Sequence, residues 1–244
     1  MMGYRIFLAG ASGAIGRRLT PLLQSAGHYV CGSTRSKANA DALRSLGADP
    51  VVVDVFDASA LSRAVASARP DVVIHQLTDL PKDLNPRAMG AAIVRTARIR
   101  SEGTRNLVRA ALAAGARRLV AQSIAWAYAP GPEPHAETDP LDAGAEGDRG
   151  IDVQGVIALE DLALKSPPLE GVVLRYGQLY GPGTASDRPS NSAPLHVDAA
   201  AHAALLAIDH GGPGIYNIAE ASRNVATEKA RAELGWTPDF RLPA

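Results

Sequence analysis

One cysteine, Cys31, stands among 244 residues, so no disulfide can form within the chain, and a reducing cytoplasm is the expected setting. No apolar run approaches the roughly 20 residues of a membrane span, which excludes a membrane-spanning protein. The opening Met1-Met2-Gly3-Tyr4-Arg5-Ile6-Phe7-Leu8 is too short an apolar stretch for a signal peptide. Aromatic residues make up only 5%, and none are interleaved with an Arg/Lys block, so there is no platform for stacking single-stranded nucleic acid. Zinc-finger and basic-helix patterns are missing as well, and no nucleic-acid partner is expected. No two His, Cys, Asp or Glu residues have metal-ligand spacing, so no metal is expected. There is no internal repeat.

What is present is an ordinary folding composition, 46% hydrophobic and 20% charged, which excludes a disordered chain and fits one domain, or one with a small appendage. The net charge is zero but unevenly spread. Residues 1–122 carry 17 Lys and Arg against 8 Asp and Glu; residues 123–244 carry 8 against 17. Either the halves attract each other, or the basic half meets a phosphate-bearing cofactor.

Along the first half, short β-type runs alternate with helical periodicity. Strands are expected at 4–9, 28–33, 51–53, 71–75 and 118–121, and helices at 15–25, 39–46, from Asp57 as N-cap, and at 104–114. The run 71–75 is apolar throughout, as in a strand buried on both faces. This alternation predicts an α/β fold, a doubly wound (Rossmann) parallel sheet with right-handed crossovers. Beyond Tyr128, residues 129–150 read as a long Pro/Gly/acid-rich loop. Helix returns at 157–165, 202–208 and 228–234, strand at 171–175 and 214–218, with a polar loop at 184–194 between them. The expected division is a dinucleotide-binding domain over 1–165, its last strand from 171–176. A small, reduced C-terminal substrate lid over 177–244 is interleaved with that core.

The stretch Gly10-Ala11-Ser12-Gly13-Ala14-Ile15-Gly16 follows the first strand and opens the first helix. Gly10 suits a tight turn, Gly13 leaves room for a pyrophosphate, and Gly16 allows close helix packing. The N–H groups of the helix start then face the phosphates. Arg17 and Arg18 oppose the macrodipole in that first turn; a bound anion would reverse the sign, and otherwise both point into water. At the end of the second strand, Gly32-Ser33-Thr34-Arg35-Ser36-Lys37 has no acid for ribose hydroxyls. Arg35 suits a 2′-phosphate instead, so NADP(H) is expected over NAD(H). Asp54 and Val55, at the third strand's end, can frame the adenine, and Gln76 and Leu77, past the fourth, complete the cofactor-binding set.

These residues resemble the extended and atypical short-chain dehydrogenase/reductases, the NAD-dependent epimerase/dehydratase family. The resemblance rests on Gly10 to Gly16, Asp54-Val55, Val72 to His75, Gly103-Thr104-Arg105-Asn106-Leu107 and Arg118 to Ser123. It continues through Arg175-Tyr176-Gly177, Tyr180-Gly181-Pro182-Gly183, His196-Val197-Asp198, Gly214 to Asn217 and Glu233-Leu234-Gly235-Trp236. It covers residues 3–183 and scattered segments beyond. The family implies a Tyr and a Lys four residues later, the Lys lowering the phenol's pKa for proton transfer, with a Ser or Thr nearby. Counted back from Glu160, those places hold Asp152 and Val156. The Ser/Thr place, counted from Tyr128, holds Ile124, and Arg100 stands where many relatives carry Asn. The relay is absent, and only 184–195 and 218–234 remain of the usual lid insertions.

The remaining proton donors near the expected nicotinamide end are Ser123, Tyr128 and Tyr176. His75 reads as a core histidine, Asp152 as a solvated acid at a helix start and His135 as a surface residue. Three functions stay open. The first is an NADP(H)-binding oxidoreductase acting on a small carbonyl or alcohol. The second is a non-redox isomerase, epimerase or cyclase in a natural-product pathway. The third is a cofactor-binding protein without turnover. Helices near 88–102 and 151–165 carry opposite charges, Arg95, Arg98 and Arg100 on the first and Asp152, Glu160 and Asp161 on the second, an opposition that suits either a homodimer interface or an internal contact.

Overall fold

The computed structural model describes residues 3–81 and 83–243; Met1 and Met2 of the N-terminal stretch, Lys82 and Ala244 lie outside the described residues. Seven strands form one parallel sheet in the order β3-β2-β1-β4-β5-β6-β9. They are β1 (Arg5–Ala9), β2 (Tyr29–Thr34), β3 (Asp49–Val52), β4 (Val72–His75), β5 (Arg118–Ile124), β6 (Glu170–Tyr176) and β9 (Gly214–Ile218). A two-stranded parallel ribbon, β7 (Gln178–Tyr180) with β8 (Pro194–His196), stands beside them. The expected doubly wound α/β architecture is what forms.

Helices cover both faces, which is why β4 is fully buried and apolar from Val72 to Ile74, with only His75 polar at its end. On one face α1 (Ala14–Ser25) and α7 (Val197–Leu206) pack together over Leu8, Ile74, Val120 and Leu174. On the other, α3 (Ala58–Ala68), α5 (Thr104–Ala113) and α6 (Gly147–Leu164) cover Phe7, Val73, Leu119 and Val173. Residues of one strand thus alternate between two cores, as the pleat requires. α2 (Lys37–Ser45) closes the β2–β3 connection and α8 (Glu228–Leu234) follows β9. Residues 177–244 supply a strand of the main sheet and a helix of one layer, besides the ribbon and a tail.

Local signals act as read. The Asp57 carboxylate accepts the Ala60 N–H and caps α3. Asn85 caps α4 (Pro86–Arg98), with Pro86 at its first turn. α4 continues through a π-helical turn, Ile99–Gly103, into α5. The helix expected at 157–165 starts ten residues earlier, at Gly147, and shortens the loop expected to reach 150. The helix expected at 202–208 starts at Val197, where the His196 ring accepts the Asp198 N–H.

Candidate functional site

The chain order reverses at β1, with β2 and β3 on one side of it and β4, β5 and β6 on the other. Crevices at such a switch point, beyond the carboxyl ends of the strands, are where open α/β sheets bind ligands. A cleft of about 760 Å³ opens there. Of the expected cofactor-binding residues, Gly10, Ser12, Gly13, Arg35, Asp54, Val55, Gln76 and Leu77 line it. Ala14, Ile15 and Gly16 form the first turn of α1 behind the loop, outside the lining.

The loop geometry needs its glycines. Gly10 has φ +88°, and a Cβ there would lie 2.6 Å from the Gln76 carbonyl oxygen, so the loop touches the end of β4 directly. A Cβ on Gly16 would lie 2.4 Å from the Gly10 carbonyl oxygen and 2.6 Å from that of Ala11; α1 packs on its own loop there rather than on the strand. The Arg17 guanidinium donates to the Ser12 carbonyl at 2.9 Å and braces the turn. Arg18 is not left in water: it forms a two-point ion pair with Asp198 on α7, and so ties the two helices together. The free N–H groups of the helix start are left as groups that could hold an anion.

At the β2 side, the Ser12 and Thr34 hydroxyls are 3.3 Å apart, and Thr34 Oγ1 also accepts the Ser36 N–H at 3.2 Å. Arg35 is half-exposed, its guanidinium 3.2 Å from the Asp79 carboxylate; Asp79 also holds Arg95 at 3.0 Å. The Asp79 N–H is fixed on Thr96 Oγ1. One Asp54 oxygen accepts the Phe56 N–H at 2.9 Å, while Asn106 holds the Val55 carbonyl. Phe56 also lines the cleft, with the Arg98 guanidinium 4.0 Å from its ring centre. Sequence reading missed Asp79, Thr34 and Phe56. Phe56 was findable as the neighbour of Asp54-Val55; nothing in spacing links Asp79 to Arg35.

The three expected proton donors are all buried, and none lines the cleft. The Ser123 hydroxyl donates to Glu160 at 2.7 Å. Glu160 is gripped by Arg175 through two bonds of 2.9 and 2.6 Å. The Tyr128 hydroxyl donates to Asn217 Oδ1 at 2.6 Å, with Arg175 over its ring; burial raises its pKa. Tyr176 is enclosed, and burial pushes its phenol far above the usual tyrosine value; it donates to the Ala200 carbonyl at 3.2 Å. His75 is a core residue as expected. Its Nδ1 accepts the Leu77 N–H, so Nε2 carries the proton toward Thr104 at 2.9 Å. Burial, with Arg100 nearby, lowers its pKa to about 4, and the ring is neutral at pH 7.

Two expectations about charge are corrected. Asp152 is no solvated acid but the partner of the buried Arg100. His135 is half-buried, stacked on Tyr128 and bonded to Asp139 at 3.0 Å. Of the charges expected to oppose one another across α4 and α6, only the Arg100–Asp152 pair meets; Arg98 pairs with Glu102, and Asp161 with Lys165. Val156, at the other relay place, is wholly buried. Cys31 is buried, which pushes its thiol up to about 11. Among the described residues, no group of three or more His, Cys, Asp or Glu is arranged to hold a metal ion. Among them, too, no helix is long and apolar enough to cross a membrane.

Comparison with known proteins gives the family and the fold. A 3-diazoavenalumate denitrifying reductase from a Streptomyces species is 42% identical over 269 aligned positions, covering 98% of this chain and 84% of that protein. The UDP-glucose 4-epimerase of Thermotoga maritima, solved with UDP-glucose, superposes with a TM-score of 0.78 at 18% identity, covering 97% of this chain and 94% of that one. A dTDP-glucose 4,6-dehydratase double mutant from Streptomyces venezuelae, solved with NAD, gives 0.76 at 19%, covering 97% and 92%. At such identities the two structures establish the fold alone. Residues 6–195 match the profile of the NAD dependent epimerase/dehydratase family, and the chain belongs to that family.

Proposed function

We propose that this chain is an NADP(H)-dependent reductase that delivers hydride without a matching proton, and that its substrate is a diazo compound taken as the diazonium cation. The observation that carries the reading is what stands at the two relay places. Asp152 is neutralised against Arg100, and Val156 is sealed in the core. No phenol–lysine pair exists there to pass a proton. Tyr176 and Tyr128 hold their protons in buried bonds, and His75 is neutral and enclosed.

The cleft's chemistry fits a dinucleotide. The start of α1 presents N–H groups to a diphosphate, Arg35 a guanidinium to a 2′-phosphate, and Asp54 to Phe56 a frame for a base. When bound, that cofactor supplies hydride from its nicotinamide ring. A carbonyl acceptor would then need an acid for the new alkoxide. A diazonium carbon needs none: the C–H bond forms from the hydride pair, the C–N bond breaks, and dinitrogen leaves with that bond's electrons. Cation and hydride cancel, so no proton moves. The relative's name, a denitrifying reductase of a diazo compound, supports redox chemistry over an isomerase, epimerase or cyclase. The contribution of this chain's residues is to bind, orient and exclude water.

The test uses an arenediazonium salt with NADPH deuterated at the transferable position. Deuterium should appear at the carbon that carried nitrogen, with one equivalent of dinitrogen per cofactor oxidised and none of the new hydrogen drawn from D2O. Solvent deuterium at that carbon, or cofactor oxidation without gas, would overturn the reading.

Asp79 gives a second prediction. Its carboxylate competes with a 2′-phosphate for Arg35, and half-exposed ion pairs contribute about 0–1 kcal/mol. Asp79→Asn should therefore tighten NADPH binding by about two- to fivefold and leave NADH unchanged. Fluorescence titration of both cofactors reads it; a parallel change in the two would refute it.

A further inference from the structure

We infer that the Gln76 side chain is a dedicated acceptor for a hydrogen-bond donor on the nicotinamide half of the dinucleotide, an N–H or O–H group. The inference rests on the cofactor reading above and assigns a group within it. Gln76 lines the cleft, is 6% exposed, and its Oε1 has no partner among the described residues. A buried amide oxygen without a donor is unfavourable unless a ligand completes it.

The amide is held at its other end. Tyr176 has a single hydroxyl proton, given to the Ala200 carbonyl at 3.2 Å. Its oxygen therefore accepts from Gln76 Nε2, at 3.4 Å. Nε2 thus donates to Tyr176, and Oε1 is the end left without a donor.

Position selects which half of the cofactor is met. The residues suited to the adenosine half, Arg35 and Asp54 to Phe56, follow β2 and β3. Gln76 follows β4, across the switch point, with its N–H on the Ala9 carbonyl at 2.8 Å and its own carbonyl against Gly10. A dinucleotide whose diphosphate rests on the glycine loop places its other nucleoside on this side. Two donor types exist there, the carboxamide N–H and the ribose hydroxyls. Both are neutral donors, and both match a neutral amide acceptor.

The experiment titrates four ligands: NADPH, NADH, the 3-acetylpyridine analogue of NADPH (its amide nitrogen replaced by methyl) and 2′,5′-ADP. Gln76→Leu should weaken NADPH by about tenfold, equivalent to about 1.4 kcal/mol, and leave 2′,5′-ADP unchanged. If the carboxamide is the donor, the unmodified protein also binds the acetylpyridine analogue about tenfold less tightly than NADPH, and Gln76→Leu no longer distinguishes them. If a ribose hydroxyl is the donor, Gln76→Leu loses both dinucleotides equally. Either result supports the assignment. Unchanged NADPH binding by Gln76→Leu, or a parallel loss of 2′,5′-ADP, would overturn it. A protein that binds neither NADPH, NADH nor 2′,5′-ADP would overturn the cofactor reading as well, which separates the two failures.

Discussion

Arg35→Asp should weaken NADPH binding by about 30-fold or more while moving NADH by less than about threefold. The guanidinium ends β2, the strand whose terminus meets the adenosine ribose in this fold, and no acid stands there for the hydroxyls of NAD(H). A charge-assisted hydrogen bond to phosphate contributes about 1.5–3 kcal/mol. Arg35 is half-exposed, so solvent screening holds the loss toward the lower end, and the new carboxylate adds repulsion against the dianion. NADH has no charge at that position and meets only a changed rim. Salt supplies an internal check. NADPH affinity of the unmodified protein should fall more steeply with ionic strength than NADH affinity, and the substitution should remove that difference. Equal loss of both cofactors would mean that Arg35 holds the rim itself, as its bond to Asp79 also permits, and the preference for the phosphorylated cofactor would fall.

The glycine loop was legible because its constraints are local. Gly10 must turn with positive φ, and Gly16 must lie against the carbonyls of its own loop; both are backbone demands met within seven residues. β4 was legible because a strand buried on both faces carries a continuous apolar run, here Val72 to Ile74. The start of α6 was hidden by Gly147 and Gly150, which read as loop; Gly155, farther along, is another residue that weakens a helical reading. Yet a Cβ on Gly155 would lie 2.9 Å from the Ala97 Cα, so that glycine is there for the contact with α4. The start of α7 was hidden differently. Ala199, Ala200 and Ala201 are buried on every side, which leaves no amphipathic stripe to read. Pairs such as Arg18 with Asp198, or Arg35 with Asp79, lie too far apart in sequence for spacing to announce them. The same limit applies to Ser123, which reads as a strand-end hydroxyl open to a ligand. Its true partner, Glu160, comes 37 residues later on a helix laid across the sheet.

That partner carries the largest stability effect expected in the chain. Arg175→Met should destabilise the fold by about 3–5 kcal/mol. Arg175 and Glu160 are 3% and 6% exposed, so removing the guanidinium leaves a carboxylate in the interior with one hydroxyl donor, Ser123, for two oxygens. Breaking a buried pair in this way costs far more than the pair contributes over an apolar replacement, because the surviving charge stays desolvated. The guanidinium also covers the Tyr128 ring at 4.8 Å and donates to the Glu137 carbonyl at 3.3 Å. Its loss therefore loosens residues 129–146 as well as the α6 contact. For a chain of this length, about 1 kcal/mol shifts the melting temperature by roughly 2–4 °C, so a fall of about 10 °C is expected by calorimetry. The double replacement Glu160→Gln with Arg175→Met should recover most of that loss, because no unpaired charge remains. Ser123→Ala removes only one donor and should shift melting by a few degrees. If Arg175→Met melts with the unmodified protein, Glu160 is not held in the interior as a charge. If Ser123→Ala abolishes reduction while the fold and cofactor binding persist, the hydroxyl reaches substrate, and the proton-free reading of the site gives way to one in which Ser123 donates.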